Sequence, residues 1–420
     1  MGYRIKSSDK WECHFMEPLE ILQDSKHIMP YFFPIFSADE HRIIGYEVIG
    51  KFITENNEID FKSFLADDSI PEEYRNKVDD ILLEKALEHA IQMKDDVMIY
   101  INRNVDLLLN QDSEHLLNIL KQYEDQGIAL DRIVISMTKR TPIDDDFDYL
   151  DHFISYYRTY GIKIAIDNLG EANNNLEQIG KLAPNILRID LKALRSSSNN
   201  HHYQEILYSL SMLARKIGAT LLFENIDMDF QLQFAWRNGG RYYQGDYLHK
   251  AGSVFVDRDI LKEKLKEKCH QFITYEKKKL HSLHTITEKF NETMTEYLQK
   301  NHVYESYVPF LTKLATKLDH VAFRLYICNE DGFQQTPNIF KKNKNWIQQD
   351  EYLHKNWSWR PYFLEHIMRM KSNKKGLLSD LYTDIETGET IRTFSFPLTA
   401  TEYLFADLSY DFLYERDGLL

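Results

Sequence analysis

Short β-rich segments alternate with amphipathic helical stretches from Tyr31 to about Gly252. This alternation is typical of βα units that build a parallel sheet. About eight strands over roughly 220 residues predict an α/β fold, a closed (β/α)8 TIM-like barrel, with an open doubly wound sheet as the alternative. The predicted strands are Tyr31–Phe36, Ile43–Ile49, Val97–Asn102, Arg132–Thr138, Ile162–Asp167, Ile186–Asp190, Thr220–Glu224 and a shorter one near Tyr242.

Polar or acidic residues stand at the ends of several of these strands, namely Asn102, Asp167, Asp190 and Glu224. In barrel enzymes the carboxyl ends of the strands converge on the active site, so side chains far apart in sequence can meet there. Any one of these residues alone would as readily cap a helix or form an ion pair in a loop. Together they predict a polar site at the carboxyl end of the barrel.

The composition indicates in which cellular compartment the chain functions and which classes of ligand it can bind. Its formal net charge of -14 argues against binding a nucleic-acid polymer, which needs clustered Lys and Arg, but allows a small anionic ligand in a local pocket. Cys13, Cys269 and Cys328 have no paired spacing, which suits a reducing compartment. No apolar run approaches the roughly 20 residues of a membrane-spanning helix, and the first residues lack the apolar core of a signal peptide. We therefore expect a cytoplasmic protein with no membrane span.

The chain divides into segments of different character. Residues 1–15 form a predicted polar N-terminal extension, with either Met1 or Met16 as the native start, and residues 16–255 form the barrel. Residues 256–300 are highly charged with apolar residues near helical spacing, which predicts a long connecting helix. In residues 301–420, helical and strand segments are segregated, which predicts a small α+β domain with an antiparallel sheet.

A series of motifs follows in a fixed order along the barrel segment. The motifs are Gly45-Tyr46-Glu47-Val48-Ile49-Gly50-Lys51, Ile101-Asn102, Ile135-Ser136-Met137-Thr138-Lys139, Ile166-Asp167-Asn168-Leu169-Gly170, Leu187-Arg188-Ile189-Asp190, Phe223-Glu224-Asn225-Ile226-Asp227 and Tyr243-Gln244-Gly245-Asp246-Tyr247. This series resembles the landmarks of EAL domains, and the resemblance spans about Met16 to Gly252. EAL domains are barrels that bind cyclic di-GMP, and active members linearise it with two divalent metal ions. Such a pair of metals activates water and clamps the attacking and leaving oxygens.

The resemblance implies a role for each matching residue. Glu47 corresponds to the signature metal-binding glutamate, Asn102 to an asparagine ligand and Asp167 to the aspartate shared between the metals. Glu224 corresponds to the glutamate assigned as general base. The residues implied to contact the nucleotide are Glu47, Lys51, Asp190, Asp227 and Gln244. Oxygen ligands of this kind suit Mg²⁺ or Mn²⁺, with Ca²⁺ as an alternative.

Several positions depart from the family pattern. Ser136 replaces a metal-binding carboxylate, Asn168 replaces the second aspartate of the Asp-Asp pair, and Lys139 replaces a glutamate that holds a neighbouring loop. Arg188 stands where the family has a lysine that helps to position the catalytic water, and Asp227 shortens a glutamate. Because Ser136 and Asn168 remove two formal negative charges from a cage built for two dications, we expect metals to bind weakly if at all.

Two cationic positions leave alternatives open. Arg188 carries a rigid fork that is unsuited to tuning a water but able to hold a phosphate. For Arg188 and for Lys51, a structural ion pair and a contact with the ligand are both compatible with the sequence.

The favoured hypothesis is a cyclic di-GMP-binding signalling protein whose degenerate EAL domain is inactive. The alternatives are a weak metal-dependent phosphodiesterase that produces pGpG, and an interaction scaffold that recruits an unknown protein and no longer binds the nucleotide. The long helix and terminal domain resemble a subgroup of EAL proteins in which the barrel precedes a PAS-like domain. Because that subgroup is associated with dimers, we also expect a homodimer.

Overall fold

The structure, a computed structural model, describes residues 3–7, 10–14, 18–54, 58–65, 67, 69–93, 96–105, 113–138, 147–169, 176–195, 200–300 and 306–416. The chain divides into two compact units, Met1–Cys269 and His270–Leu420. A long helix, Lys262–Lys300, contains the boundary between them. None of the helices in the described ranges has an apolar stretch long enough to cross a membrane.

The first unit is built on a ring of strands. Two short antiparallel strands, β1 (Tyr3–Ser7) and β2 (Lys10–His14), precede it in the segment predicted as a polar extension. Within the described ranges, eight strands form the ring: β3 (Ile28–Ser37), β4 (Ile43–Ile53), β6 (Met98–Asn104), β7 (Ile133–Thr138), β8 (Lys163–Leu169), β9 (Ile186–Asp190), β10 (Thr220–Glu224) and β11 (Tyr242–Tyr243). The remaining strand, β5 (Glu58–Asp60), pairs with β4 outside the ring.

Hydrogen bonds join these strands in the order β3, β11, β10, β9, β8, β7, β6, β4, and β4 pairs again with β3, which closes the barrel. The predicted closed barrel is therefore confirmed. Its first strand differs from the parallel arrangement, because β3 runs antiparallel to both β4 and β11. The connection from β3 to β4, residues 38–42, is too short for the crossover of a dozen or more residues that parallel neighbours require.

Helices alternate with the barrel strands and supply the outer part of the core. In the helix Glu72–Ala90, the buried residues include Leu83, Leu87 and Ala90, which lie on one face of a helix. The helices of this unit are Pro18–Gln23, Phe61–Leu65, Glu72–Ala90, Ser113–Glu124, Phe147–Arg158, Leu176–Leu182, Asn200–Ile217 and Asp229–Arg237.

An apolar layer inside the barrel sets the position of the polar residues above it. Its members include Tyr100, Val134, Ala165, Ile186 and Leu222, which come from consecutive strands and pack in one buried cluster. Side chains on a strand alternate between its two faces, so the residue two positions further along also faces the interior. Those next residues are Asn102, Ser136, Asp167, Arg188 and Glu224. The strand period therefore places a polar layer at the carboxyl end of the barrel.

The second unit contains an antiparallel sheet, whose strands are β12 (Ala322–Asn329), β13 (Asn338–Lys342), β14 (Asn345–Gln349), β15 (Leu377–Leu378), β16 (Tyr382–Thr383), β17 (Thr390–Pro397) and β18 (Glu402–Leu408). The strand order is β14, β13, β12, β18, β17, β15, and β16 pairs with β17 beside it. The helices of this unit, besides its part of Lys262–Lys300, are Tyr307–Lys317, Phe363–Asn373 and Tyr410–Tyr414. The predicted small domain after a long helix is confirmed.

Each face of this sheet carries its own apolar core. Leu404 and Ala406 of β18 belong to a cluster with residues of the helices Lys262–Lys300 and Tyr307–Lys317. Phe405, which points to the opposite face, belongs to a second cluster with residues of the helix Phe363–Asn373. The alternation along β18 therefore explains why helices cover both faces.

Gly245 is expected to be essential for the turn that follows β11. Its φ is +156°, and a Cβ atom at this position would lie 2.1 Å from the carbonyl oxygen of Ile226. We expect Gly245→Ala to lower the free energy of unfolding by about 2–4 kcal/mol, through steric overlap and backbone strain. Gly218→Ala is the matched control, because Gly218 has a φ of +75° but open space around it, and it should cost only about 1 kcal/mol. Equal losses of the two variants in urea denaturation would contradict this account.

Candidate functional site at the carboxyl end of the barrel

Seven polar side chains from seven strands or strand ends meet above the apolar layer in the described part of the barrel. They are Glu47, Asn102, Ser136, Asp167, Arg188, Glu224 and Gln244, and all except Asn102 are classed as buried. The structure therefore brings together most of the residues that the sequence predicted for the site.

Arg188 lies at the centre of this group and is only 2% exposed. Its Nη2 donates to Glu47 Oε1 at 2.8 Å and to Glu224 Oε2 at 2.5 Å, and its Nε donates to the same Glu224 oxygen at 2.9 Å. Its Nη1 donates to Ser136 Oγ at 2.7 Å and to Asn102 Oδ1 at 3.1 Å. The guanidinium thus contacts the same oxygen atoms that the family resemblance assigns to metal binding and to the general base.

Glu47 is held by amide side chains in addition to Arg188. Asn102 Nδ2 donates to Glu47 Oε1 at 2.8 Å, and Gln244 Nε2 donates to Glu47 Oε2 at 2.8 Å. Both carboxylate oxygens therefore have fixed hydrogen-bond partners, which orients the side chain without any additional ion.

The charges in this group are unequal in number. One guanidinium faces the carboxylates of Glu47, Glu224 and, at 4.0 Å, Asp167. Burial raises the pKa of Glu224 to about 8, and the neighbouring carboxylates of Asp167 and Glu47 raise it further while Arg188 lowers it. Burial disfavours the charged form of Arg188, yet Glu224, Glu47 and Asp167 hold its pKa well above the usual value. Arg188 therefore stays charged, whereas the raised pKa of Glu224 favours its protonated form at neutral pH.

The donor set does not fit a pair of divalent metal ions while Arg188 stays in its place. Among the residues that the structure describes, no three His, Cys, Asp or Glu side chains are arranged to hold a metal ion. The carboxylates of Glu47 and Glu224 are separated by the guanidinium that bonds to both. A delocalised cation with directional N–H donors thus stands where the resemblance predicts the metal cage.

A cavity of about 360 Å³ opens beside this group. The residues that line it include Arg188, Glu47 and Asp167 together with Phe61, Leu82 and other apolar residues. This volume and the mixture of apolar wall with a few convergent polar groups are typical of small-molecule sites.

Asp79 and Arg103 also line the cavity, and the sequence did not predict them as site residues. Arg103 Nη1 donates to Asp79 Oδ2 at 2.5 Å, and burial raises the pKa of Asp79 to about 6 although Arg103 lowers it. The buried Nη2 of Arg103 has no hydrogen-bond partner within the described ranges. The sequence offers a sign of Arg103 as a site residue, because it directly follows Asn102 near the end of a strand. Asp79 lies within a helix, and nothing in the sequence marks it as a site residue.

The other predicted site residues have different hydrogen-bond partners or lie outside the described residues. Lys51 pairs with Glu58 at 2.6 Å and lies over the ring of Tyr31, so its ammonium takes part in a structural ion pair. Asp190 accepts a hydrogen bond from the backbone N of Lys192 at 2.6 Å, and the backbone N of Asp227 donates to Gln231. The side chain of Asn168 and all of Lys139 lie outside the described residues. The nucleotide-binding roles of Lys51, Asp190 and Asp227 stay predictions.

Stability should fall as the pH rises through the range in which Glu224 loses its proton. A carboxyl group whose pKa is raised from 4.5 to about 8 on folding contributes stability at pH values below 4.5, and this contribution is lost as the pH rises to about 8. We expect the free energy of unfolding, measured by urea denaturation, to decrease from about pH 5 to about pH 8. Glu224→Gln should flatten this decrease, and Glu205→Gln, at an exposed helix position, should leave it unchanged. A slope that is the same in Glu224→Gln and the parent protein would refute the assignment.

Comparison with known proteins identifies two domain families in the chain. A model of the EAL domain matches residues 17–251, and a model of the EAL-domain associated signalling protein domain matches residues 255–420. The chain is 47% identical over 408 residues to an uncharacterised EAL-domain containing protein, YkuI, of Bacillus subtilis (strain 168), covering 96% of this chain and 100% of that protein.

A solved structure agrees with this result. A crystal structure of the Bacillus subtilis YkuI protein, in complex with substrate c-di-GMP and calcium, matches with a TM-score of 0.90 and 46% identity over 96% of this chain and 100% of that chain. A crystal structure of an EAL domain protein from Listeria monocytogenes EGD-e matches with a TM-score of 0.49 and 18% identity, over 61% of this chain and 98% of that chain.

Proposed function

Because the chain belongs to the EAL-domain family, we propose that it is a cyclic di-GMP receptor whose barrel binds the nucleotide without hydrolysing it at a useful rate. The observation that carries this proposal is the position of Arg188 between Glu47 and Glu224. A binding cavity is present, whereas the groups that hydrolysis requires are bonded to a guanidinium.

Nucleotide binding is supported by the cavity and by the similarity to the Bacillus subtilis protein. That relative, at 46% identity, was crystallised in complex with c-di-GMP and calcium. In this chain, the apolar residues that line the cavity offer surfaces for the bases.

The charge of the cavity explains why a cation would assist binding. Within the described residues, five acidic side chains line the cavity against three basic ones: Glu47, Asp60, Asp79, Asp167 and Glu224 against Lys62, Arg103 and Arg188. A ligand with two negative phosphodiesters meets an excess of negative charge there, so a divalent cation that accompanies the nucleotide would reduce the repulsion. We propose that Mg²⁺, Mn²⁺ or Ca²⁺ binds weakly to the free protein and better together with the nucleotide.

Loss of turnover follows from the same contacts. A general base must accept a proton from water, but Glu224 Oε2 already accepts hydrogen bonds from two nitrogens of Arg188. The hydroxyl of Ser136, where the resemblance expects a carboxylate, itself accepts from Arg188 and adds no negative charge for a metal. Weak hydrolysis is the second candidate, since Glu47, Asn102, Asp167 and Glu224 are still close together.

Calorimetry and product analysis of the full chain test the proposal directly. Cyclic di-GMP should bind at micromolar concentration in buffer with Ca²⁺ or Mg²⁺, more weakly with EDTA, and GMP should not compete. Chromatography should detect no pGpG beyond the amount found with Glu224→Gln. Turnover of about 1 per second or faster, lost in Glu224→Gln, would establish the phosphodiesterase alternative instead. Absence of nucleotide binding in every buffer would favour the protein-interaction scaffold.

Removal of the internal cation should make the site a better metal site. In Arg188→Gln, the carboxylates of Glu47, Asp167 and Glu224 lose their counter-charge, so Mn²⁺ affinity measured by calorimetry should rise by at least about tenfold. Arg103→Gln is the matched control, because Arg103 lines the same cavity but pairs with Asp79 alone of the acidic side chains, and its effect should be smaller. If both variants bind Mn²⁺ as weakly as the parent, Arg188 does not exclude metals.

Dimer formation and a cytoplasmic location stay predictions. Size-exclusion chromatography with light scattering of the full chain measures dimer formation. This measurement does not depend on whether the nucleotide is bound or hydrolysed.

A further inference from the structure

Arg360 in the second unit is a buried arginine with an unusual set of partners. It lies just before the helix Phe363–Asn373 and is 7% exposed. Its Nη1 lies 3.0 Å from the hydroxyl oxygen of Tyr326, 3.1 Å from that of Tyr362 and 3.3 Å from that of Tyr382. Because Nη1 carries two hydrogens, it can donate to no more than two of these three oxygens at once.

The other nitrogens of Arg360 donate no hydrogen bond within the part of the chain that the structure describes. Nη2 lies 3.9 Å from Asp384 Oδ1, which is beyond hydrogen-bond distance. The ring of Trp357 lies 4.5 Å from the guanidinium carbon and covers one of its faces. Arg360 therefore has Asp384 at ion-pair distance but directs its hydrogen bonds only to neutral hydroxyls, and a buried guanidinium with N–H donors left without an acceptor is costly.

The neighbouring Arg324 differs from Arg360, because each nitrogen of its guanidinium donates to a carboxylate. Its Nε donates to Asp407 Oδ2 at 2.6 Å, its Nη2 to Asp384 Oδ1 at 2.8 Å, and its Nη1 to Glu386 Oε2 at 3.0 Å. The second oxygens of the two aspartates accept from threonine side chains. These carboxylates are therefore already engaged and do not serve Arg360.

The three tyrosine hydroxyls differ in whether their protons have an acceptor. Thr393 Oγ1 donates to Asp407 at 2.6 Å, so Tyr382 acts as donor to Thr393 at 2.6 Å, and Tyr362 also donates to Thr393 at 3.3 Å. Tyr326 is fully enclosed, and its hydroxyl contacts only Arg360 in the described ranges. Arginine cannot accept a hydrogen bond, so the hydroxyl proton of Tyr326 also lacks an acceptor there.

We propose that Arg360 and the hydroxyl of Tyr326 bind the carboxylate group of a small monoanionic molecule. Two carboxylate oxygens match the planar fork of a guanidinium and can accept the Tyr326 proton as well. Tyr362 and Tyr382 are partly exposed, so the ligand can reach the group from solvent.

The local charge favours a monoanion over a dianion such as phosphate. The positive charges of Arg324 and Arg360 are balanced by those of Asp384 and Asp407, and Glu386 adds a further carboxylate at the edge of the group. Three carboxylates thus already face two guanidiniums, so a dianion would be repelled more strongly than a monoanion that binds to Arg360.

Ligand-detected NMR and calorimetry with the full chain provide the test. The probes are sodium acetate, L-lactate and L-alanine, with inorganic phosphate as the comparison, each up to about 20 mM at constant ionic strength. We expect saturable binding of at least one carboxylate, and weaker binding or none for phosphate. If none of the three carboxylates binds, or if phosphate binds more tightly than all of them, the proposal is wrong.

Variants separate the proposed contact from a general effect on the fold. Arg360→Gln should weaken carboxylate binding by at least about tenfold, and Arg360→Lys, which keeps the charge but loses the fork, should also weaken it. Tyr326→Phe removes the hydroxyl whose proton lacks an acceptor and keeps the ring, so it should weaken binding in a protein that still folds. Arg369→Gln, an exposed arginine on the helix Phe363–Asn373, should bind as the parent does. Equal affinity of Tyr326→Phe, Arg360→Gln and the parent would overturn the assignment, and none of these outcomes depends on cyclic di-GMP.

Discussion

The barrel site depends on one interaction, the burial of the Arg188 guanidinium among the carboxylates of Glu47, Glu224 and Asp167. A charge this deeply buried is tolerated only when it is paired and its donors are satisfied, and the surrounding oxygens meet this requirement. The same oxygens would repel one another without a cation. A guanidinium therefore supplies, from within the chain, positive charge that the family resemblance assigns to metal ions.

Guanidinium and metal satisfy carboxylates in different ways. A metal ion polarises a bound water and stabilises charge on reacting oxygens, whereas an arginine side chain donates fixed hydrogen bonds and holds its protons. Under the proposed function, the guanidinium preserves a folded, polar end of the barrel but does not supply the chemistry of a metal ion. Ser136 belongs to the same change, because its hydroxyl accepts from Arg188 where a carboxylate would add to the charge.

The second unit also contains buried arginines, Arg324 and Arg360. Arg324 resembles Arg188, since carboxylates surround it and complete its hydrogen bonds. Arg360 differs, since its hydrogen-bond neighbours in the described ranges are tyrosine hydroxyls. Comparison of the three side chains shows that burial alone does not define a site. The identity of the partners decides whether an arginine completes the fold or leaves room for a ligand.

The sequence by itself determined the order of the barrel strands and the residues that end them, because a period of two places Asn102, Asp167 and Glu224 on the interior face. The sequence also shows that Ser136 lacks the formal negative charge of the carboxylate that the family resemblance expects at this position. Only the tertiary structure decided where the long side chain of Arg188 points, and it alone paired Asp79 with Arg103 and gathered three tyrosines around Arg360. Local periodicity fixes the face of a strand or helix, but the end of a flexible side chain is positioned by partners that are distant in sequence.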